Sequence, residues 1–175
     1  MKQFIRQFDQ SLTTRLYGRP AFLHVVFDWI TLLGHPIVIT FIAVMIAIAA
    51  LGLDQSQIAL GFIVGLIALA VGSASKFVLR RPRPDTPYAL RMHARTFSFP
   101  SGHAYGAGIV YGLVIVLAFN LFASPWDQLI AILLLPLIGL IGLSRIHLGA
   151  HYFLDVIGGW LLAIPVVLVI AEVIW

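Results

Sequence analysis

Long apolar blocks separated by short polar joints set the pattern of this chain. The blocks cover about 36–53, 57–75, 103–123, 126–144 and 152–175, each near the roughly 20 residues a helix needs to cross the hydrocarbon of a bilayer. The first, PIVITFIAVMIAIAALGL, would rise about 27 Å as a helix. Solid apolar runs predict helices, because a membrane barrel would alternate lipid-facing with lumen-facing residues. The stretch 21–34, AFLHVVFDWITLLG, is shorter, holds His24 and Asp28 and ends at Gly34-His35-Pro36. It predicts an interfacial or half-inserted helix, with a sixth span formed together with the preceding residues as the alternative. The expected fold is therefore all-α: a polytopic transmembrane helix bundle of five spans plus an N-terminal interfacial helix, or of six spans.

Composition agrees with that pattern. Of 175 residues, 61% are hydrophobic and 10% charged, and the mean hydropathy is +1.01. A soluble domain would show roughly 45–50% and about 25%. The absence of cysteine removes disulfides and thiolate chemistry. The first twenty residues hold no apolar run of signal-peptide type, so no cleaved leader is expected, and no linker or repeat divides the chain. The joints differ in charge. Residues 54–57 (DQSQ) and 124–127 (SPWD) carry no basic residue, whereas the connection from Lys76 to Pro100 is long and basic and the 145–151 junction adds Arg145, His147 and His151. With five alternating spans, both basic joints open on the side of the N-terminal segment, so all eleven Lys and Arg fall on one membrane face. The positive-inside rule would make that face cytoplasmic. Arginines held in a binding site, however, do not report topology.

Three constellations carry candidate chemistry. In SKFVLRRPRPDTP, Lys76 ends a span and Arg80, Arg81 and Arg83 follow, with Pro82 and Pro84 ending the helix and stiffening the chain. Such a cluster suits anionic headgroups in general; held rigidly, it suits a phosphate, with bidentate arginine and point-charge lysine. In FPSGHAYGAG (99–108), Pro100 breaks the loop and Ser101 is a preferred N-cap, so the amides of Gly102 and His103 should stand unpaired at a helix N-terminus, where anions are attracted. Gly102 permits close approach of a ligand. His103 alone would pass for a surface or capping residue, but beside a phosphate its imidazole suits a proton donor. Gly106, Gly108 and Gly112 read as close helix packing. In GLSRIHLGAHYFLDVIGG, His151 and Asp155 are four apart, so on a helix they share a face and the carboxylate can orient the ring. An intramembrane carboxylate costs about 2.5–3.5 kcal/mol on insertion scales, which favours a functional or paired role. His147, His151 and Asp155 at four-residue steps invite a zinc site. Arg145 beside them would repel the cation, whereas an anion site uses it. No metal and no cofactor is expected.

Together these residues resemble the type 2 phosphatidic acid phosphatase superfamily, the histidine-dependent phosphatases that include bacterial acid phosphatases and vanadium haloperoxidases. The three-part signature is present in order: Lys, six residues, Arg-Pro at Lys76, Arg83 and Pro84; Pro-Ser-Gly-His at 100–103; and Ser-Arg, five residues, His, three residues, Asp at Ser144, Arg145, His151 and Asp155. The motifs cover about 76–155, and the order of spans extends the likeness over most of the chain. The resemblance implies that His151 is the nucleophile, that Asp155 holds its tautomer, and that His103 protonates the leaving group and then activates water. It also implies that Lys76, Arg83, Ser101, the Gly102 amide and Arg145 bind the phosphoryl oxygens, with no metal required. Two features depart from the membrane branch: many members have a further span before the region of FDQSL, where this chain has mostly polar residues, and His147 occupies a position the signature leaves free.

Motif residues at span ends place the expected pocket at the interface, where the phosphate of a lipid lies. The 85–99 connection carries Arg91, His93 and Arg95 beside Tyr88, Phe97 and Phe99, which fits an anionic headgroup or, equally, an interfacial loop with an aromatic belt. Undecaprenyl diphosphate, phosphatidylglycerol phosphate and phosphatidic acid all fit. A non-catalytic membrane protein that binds anionic lipid is the rival reading, but simple binding needs neither an oriented imidazole nor an intramembrane carboxylate. A haloperoxidase would belong to the soluble branch. The expectation is an integral membrane lipid phosphatase, one domain over 1–175 with an N-terminal interfacial segment (1–35) and a transmembrane catalytic core (36–175). It would sit in the cell membrane as a multi-pass protein, with its site on the extracytoplasmic face, membrane lipids around it and no nucleic-acid partner.

Overall fold

The computed structural model describes residues 2–18, 20, 22–92 and 96–175, and the described residues are helical, with no strand among them. The elements are α1 (Lys2–Leu16), α2 (Leu23–Leu33), α3 (Pro36–Gly52), α4 (Ser56–Ala74), α5 (Lys76–Leu79), α6 (Pro87–Arg91), α7 (Gly102–Leu121), α8 (Trp126–His147) and α9 (Phe153–Val173). Four are long and apolar enough to cross a membrane: α4 with α5 as Ser56–Leu79, α7, α8 and α9. The pair α2 and α3, bent by 41°, qualifies as a fifth.

That pair straddles the expected boundary at residue 35. α3 has 17 residues and does not qualify alone; α2 and α3 pass the length and composition test only together. The break follows from the local chemistry. Pro36 has no amide hydrogen to continue a helix and is tolerated in the first turn of a new one, and the His35 side chain caps that turn by accepting from the Ile37 amide at 3.3 Å. α1 packs on α8 and α9.

α7 is the central helix, packed by α3, α4, α8 and α9. Lipid chains are as apolar as leucine, so association here depends on close contact and internal hydrogen bonds. Small residues supply the contact. Ala43, Ala47 and Ala50 face the core from α3, and a side chain at Gly108 would strike Ala163 at 2.7 Å. The packing read for Gly106, Gly108 and Gly112 is what α7 uses them for. Buried hydroxyls are matched to carbonyls: Tyr105 donates to Ala68 O at 3.0 Å and Tyr111 to Leu33 O at 2.9 Å, the latter an acceptor freed where α2 ends. Outward faces of α4, α8 and α9, with Ile67, Ile132, Leu133 and Leu168, remain exposed as lipid-facing surfaces.

α7 and α9 meet almost backbone to backbone. A Cβ on Gly159 would lie 3.0 Å from Ser101 O and 3.1 Å from Tyr105 N, neither of which can swing aside. Gly159→Val should therefore cost about 1–3 kcal/mol by overpacking. Gly139→Ala, whose Cβ meets nothing within 4 Å, should be nearly neutral. Thermal unfolding of the two variants in detergent checks the contrast.

Candidate active site

One end of the bundle collects the three constellations. At the first, α4 gives way to the short helix α5, and Lys76 reaches across to the start of α7: its Nζ lies 3.3 Å from the point a Cβ of Gly102 would occupy. Arg80, at φ +46°, turns the chain out of the helix, and an extended run then carries Arg83 inward. Arg83 is fixed by neutral acceptors. Its Nε donates to Thr96 O at 2.8 Å, Nη1 to Ala150 O at 3.0 Å and Nη2 to Thr96 Oγ1 at 3.0 Å.

At the second, Ser101 occupies the N-cap of α7 with extended backbone, but its hydroxyl makes no capping bond. The amide of Ser101 donates to Asp155 O at 2.9 Å, tying the start of α7 to the first turn of α9. Ser101 Oγ is buried with no hydrogen-bond partner among the described residues, so it could donate to or accept from a ligand. His103, the second residue of α7, lines a cavity of about 400 Å³ with Thr31, His35, Tyr88, Met92 and Arg145. The His35 ring meets it edge-on at 5.8 Å.

At the third, Arg145 ends α8 with 1% exposure; Nη1 donates to Thr31 Oγ1 at 2.6 Å and Tyr88 Oη at 3.2 Å. Its Nε is buried without a partner among the described residues. His151 is not on a helix, contrary to the shared-face expectation. α9 begins at Phe153, and a turn through Gly149, at φ +76°, brings the ring back to it. A side chain at Gly149 would strike Tyr17 at 2.6 Å and Thr86 at 2.8 Å. His151 Nε2 lies 3.1 Å from Arg83 Nη1. A guanidinium only donates, so Nε2 presents its lone pair there and Nδ1 carries the proton of the neutral ring, 3.6 Å from Asp155 Oδ2. Burial first, then the charges of Arg145, Arg83 and Lys76, hold the imidazole well below the ordinary histidine pKa, so it is neutral and nucleophilic near pH 7. Among the described residues none of those three cations has a carboxylate ion-pair partner. Burial, and then Arg145, also lower the pKa of Arg83.

The structure thus brings Lys76, Arg83, Ser101, Gly102, His103, Arg145, His151 and Asp155 to one place. His147 goes elsewhere: its ring packs on Phe27 at 4.7 Å and His24 at 5.6 Å, and among the described residues no group of three His, Asp or Glu is placed to hold a metal. Phe97 packs on Phe77, and Phe99 fills the space beside Gly158, so these two serve packing. His93 and Arg95 lie outside the described residues. Sequence reasoning missed Thr31 and Thr96, which with Tyr88, read only as an aromatic of the 85–99 connection, tether the two arginines. It also missed Asp9, and it grouped Arg81 with the phosphate cluster, whereas Arg81 and the Tyr152 amide donate to Asp155 and Asp9 accepts from Arg81. The pairing of Asp9 with Arg81 spans 72 positions, and no local pattern announces it.

The family model for the PAP2 superfamily matches residues 56–175, which hold all three constellations. The chain belongs to the PAP2 superfamily. Phosphatidylglycerophosphatase B of Bacillus subtilis is 37% identical over 91 residues, 49% of this chain and 42% of that protein. Undecaprenyl-diphosphatase of Sulfolobus acidocaldarius is 36% identical over 102 residues, 55% of this chain and 45% of that protein. This chain therefore spans less than half the length of these curated relatives. Among solved structures, the transmembrane PAP2 type phosphatidylglycerolphosphate phosphatase of Bacillus subtilis superposes with TM-score 0.84 at 26% identity, covering 96% of this chain and 85% of that one. This PAP2 chain is accordingly a multi-pass, all-α membrane protein.

Cations with no ion-pair partner among the described residues, beside a buried hydroxyl without a hydrogen bond, suit an anion. Inorganic phosphate should raise the thermal midpoint of the detergent-solubilised protein, by about 2.7 kcal/mol of stabilisation at 100 times its dissociation constant. Arg145→Ala should lose that response, as read by thermal shift with a chloride control at equal ionic strength.

Proposed function

We propose that the chain is a lipid phosphatase that hydrolyses a phosphomonoester or diphosphate of a membrane lipid through a phosphohistidine, with the charge supplied by its own side chains. The observation that carries this is the orientation of His151: Nε2 points at Arg83 among the three cations, while Nδ1 faces Asp155. Phosphate binding alone would leave that orientation without a use.

In the first step the Nε2 lone pair attacks phosphorus and the bond to the leaving oxygen breaks, that oxygen taking a proton from the His103 imidazolium. Asp155 stabilises the charge gained by the His151 ring. In the second step His103 removes a proton from water as the oxygen attacks phosphorus, the P–N bond breaks, and orthophosphate leaves. Lys76, Arg83, Arg145, Ser101 Oγ and the Gly102 amide surround the equatorial oxygens, where charge concentrates in phosphoryl transfer. A monoester would yield the lipid alcohol and a diphosphate the lipid monophosphate.

The substrate class follows from placement. The cavity beside His103 lies at the ends of the spans and includes the α2–α3 break, so a lipid phosphate can enter while its chains stay in the bilayer. Relatives named for a phosphatidylglycerol phosphate and for undecaprenyl diphosphate support both kinds of substrate. The site would face outward from the cell membrane. The basic residues near it are then bound up in catalysis and hydrogen bonds and do not act as topology signals.

Purified protein with a chelator present should release orthophosphate from a panel of lipid phosphates. His151→Ala should abolish release, and His103→Asn should lower kcat about 10²- to 10⁴-fold. An unchanged rate in His151→Ala would remove the nucleophile assignment, and no release by the wild type on any lipid would favour the binding protein.

Cysteines introduced at Ser11, on the exposed face of α1, and at Asp127, at the opposite end of the bundle, test the face. A membrane-impermeant maleimide applied to intact cells should label the first and spare the second.

A further inference from the structure

We propose that Arg81 and Asp9 are positioning residues for this reaction, holding Asp155 in place and setting how much of its negative charge reaches His151. The inference rests on the reading of His151 and Asp155 given above.

The Asp155 carboxylate has no freedom to turn. Oδ1 accepts from Arg81 Nη1 at 2.7 Å, and Oδ2 accepts from the Tyr152 amide at 2.9 Å while facing His151 Nδ1. Arg81 is pinned in turn. Its Nη2 donates to Asp9 Oδ2, and its guanidinium lies over the Tyr152 ring at 4.4 Å. Both terminal nitrogens are thus spent on carboxylates, so Arg81, unlike Arg83 two residues on, does not present itself to phosphate.

Asp9 belongs to α1, yet it is fully buried and its other oxygen accepts from the Leu154 amide at 2.8 Å. Thr13, one turn along, accepts from the Phe153 amide at 3.0 Å. α1 therefore satisfies two of the free donors at the start of α9, the turn that presents Asp155. A neutral pair could brace two helices equally well. A chain of alternating charge does something else: Arg81 alone would cancel much of the Asp155 charge, and Asp9 draws part of the Arg81 charge away. Asp155 keeps enough to stabilise the imidazolium formed when His151 attacks.

The charges that face His151 are Asp155 from α9, Arg145 from α8, Lys76 from α5, Arg83 from the run after α5, and His103 from α7. Arg81 and Asp9 stand one and two places behind Asp155. Against that background their removal acts with opposite sign. Losing the Arg81 cation makes imidazolium easier to form, so the acid limb of kcat/KM moves to higher pH. Losing the Asp9 anion moves it to lower pH.

The experiment measures kcat, KM, the pH profile of kcat/KM and the thermal midpoint for Arg81→Gln, Arg81→Lys and Asp9→Asn, beside wild type and His151→Ala, on the lipid phosphate released fastest. Arg81→Gln should lower kcat roughly 10- to 100-fold with KM little changed, and Arg81→Lys should restore part of it. The acid limb should shift by about half a unit, upward in Arg81→Gln and downward in Asp9→Asn. Wild-type rates and limbs in variants that melt like wild type, or limbs that move the same way, overturn the inference. Should Arg81→Gln fail to fold, Asp9→Asn decides alone, since its side-chain carbonyl can still accept from Leu154; an unmoved limb there refutes the proposal. Retained activity in His151→Ala would instead sink the reading of the nucleophile itself, and a wild type inactive on every lipid would sink both.

Discussion

Like charges crowded at the end of a membrane bundle are the constraint on which the rest of this structure turns. Lys76, Arg83 and Arg145 all act on His151, and two unit charges at contact range repel by a few kcal/mol at an effective dielectric near 20. The simplest relief would be to give each cation a carboxylate. The fold does not do so. Arg83 is held by the carbonyls of Thr96 and Ala150 and by a threonine hydroxyl, and Arg145 by Thr31 and Tyr88. Neutral acceptors fix geometry without cancelling charge, so the positive potential is kept for a ligand.

The carboxylates are gathered one layer behind. Asp155 and Asp9 share Arg81, and both are fully buried. A buried charge pair contributes little to stability compared with apolar packing, but breaking one side of it is expensive. The arrangement therefore has the character of a device for orientation. It separates a front row of cations around His151 from a back row of carboxylates that share Arg81.

Much of this was legible in the residues. Solid apolar blocks announced helices, and the motif spacings named Lys76, Arg83, Ser101, Gly102, His103, Arg145, His151 and Asp155 as one group. Local signals failed where the structure depends on distant partners. The α2–α3 break placed Pro36 and His35 inside a bent pair because the helices on both sides find partners, α2 on α8 and α3 on α4, which no window of sequence reveals. Asp9 looked like one polar residue of a polar helix. Its role depends on Leu154 and Arg81, which only folding brings near. Ser101 was read as a cap from propensity, and its hydroxyl makes no capping bond and lies buried without a partner among the described residues.

The seam between α7 and α9 carries its own implication. Ser101 N meets Asp155 O, and Gly159 leaves no room for a side chain against Ser101 O, so the start of α7 is registered to the carboxylate-bearing start of α9 through main-chain atoms. Main chain is common to every amino acid. Given a small residue at 159, mutational drift can rework the lipid-facing exterior and the walls of the cavity without altering the spacing of Ser101 and Asp155, so under the proposed activity specificity would be free to diverge while the chemistry stayed in register.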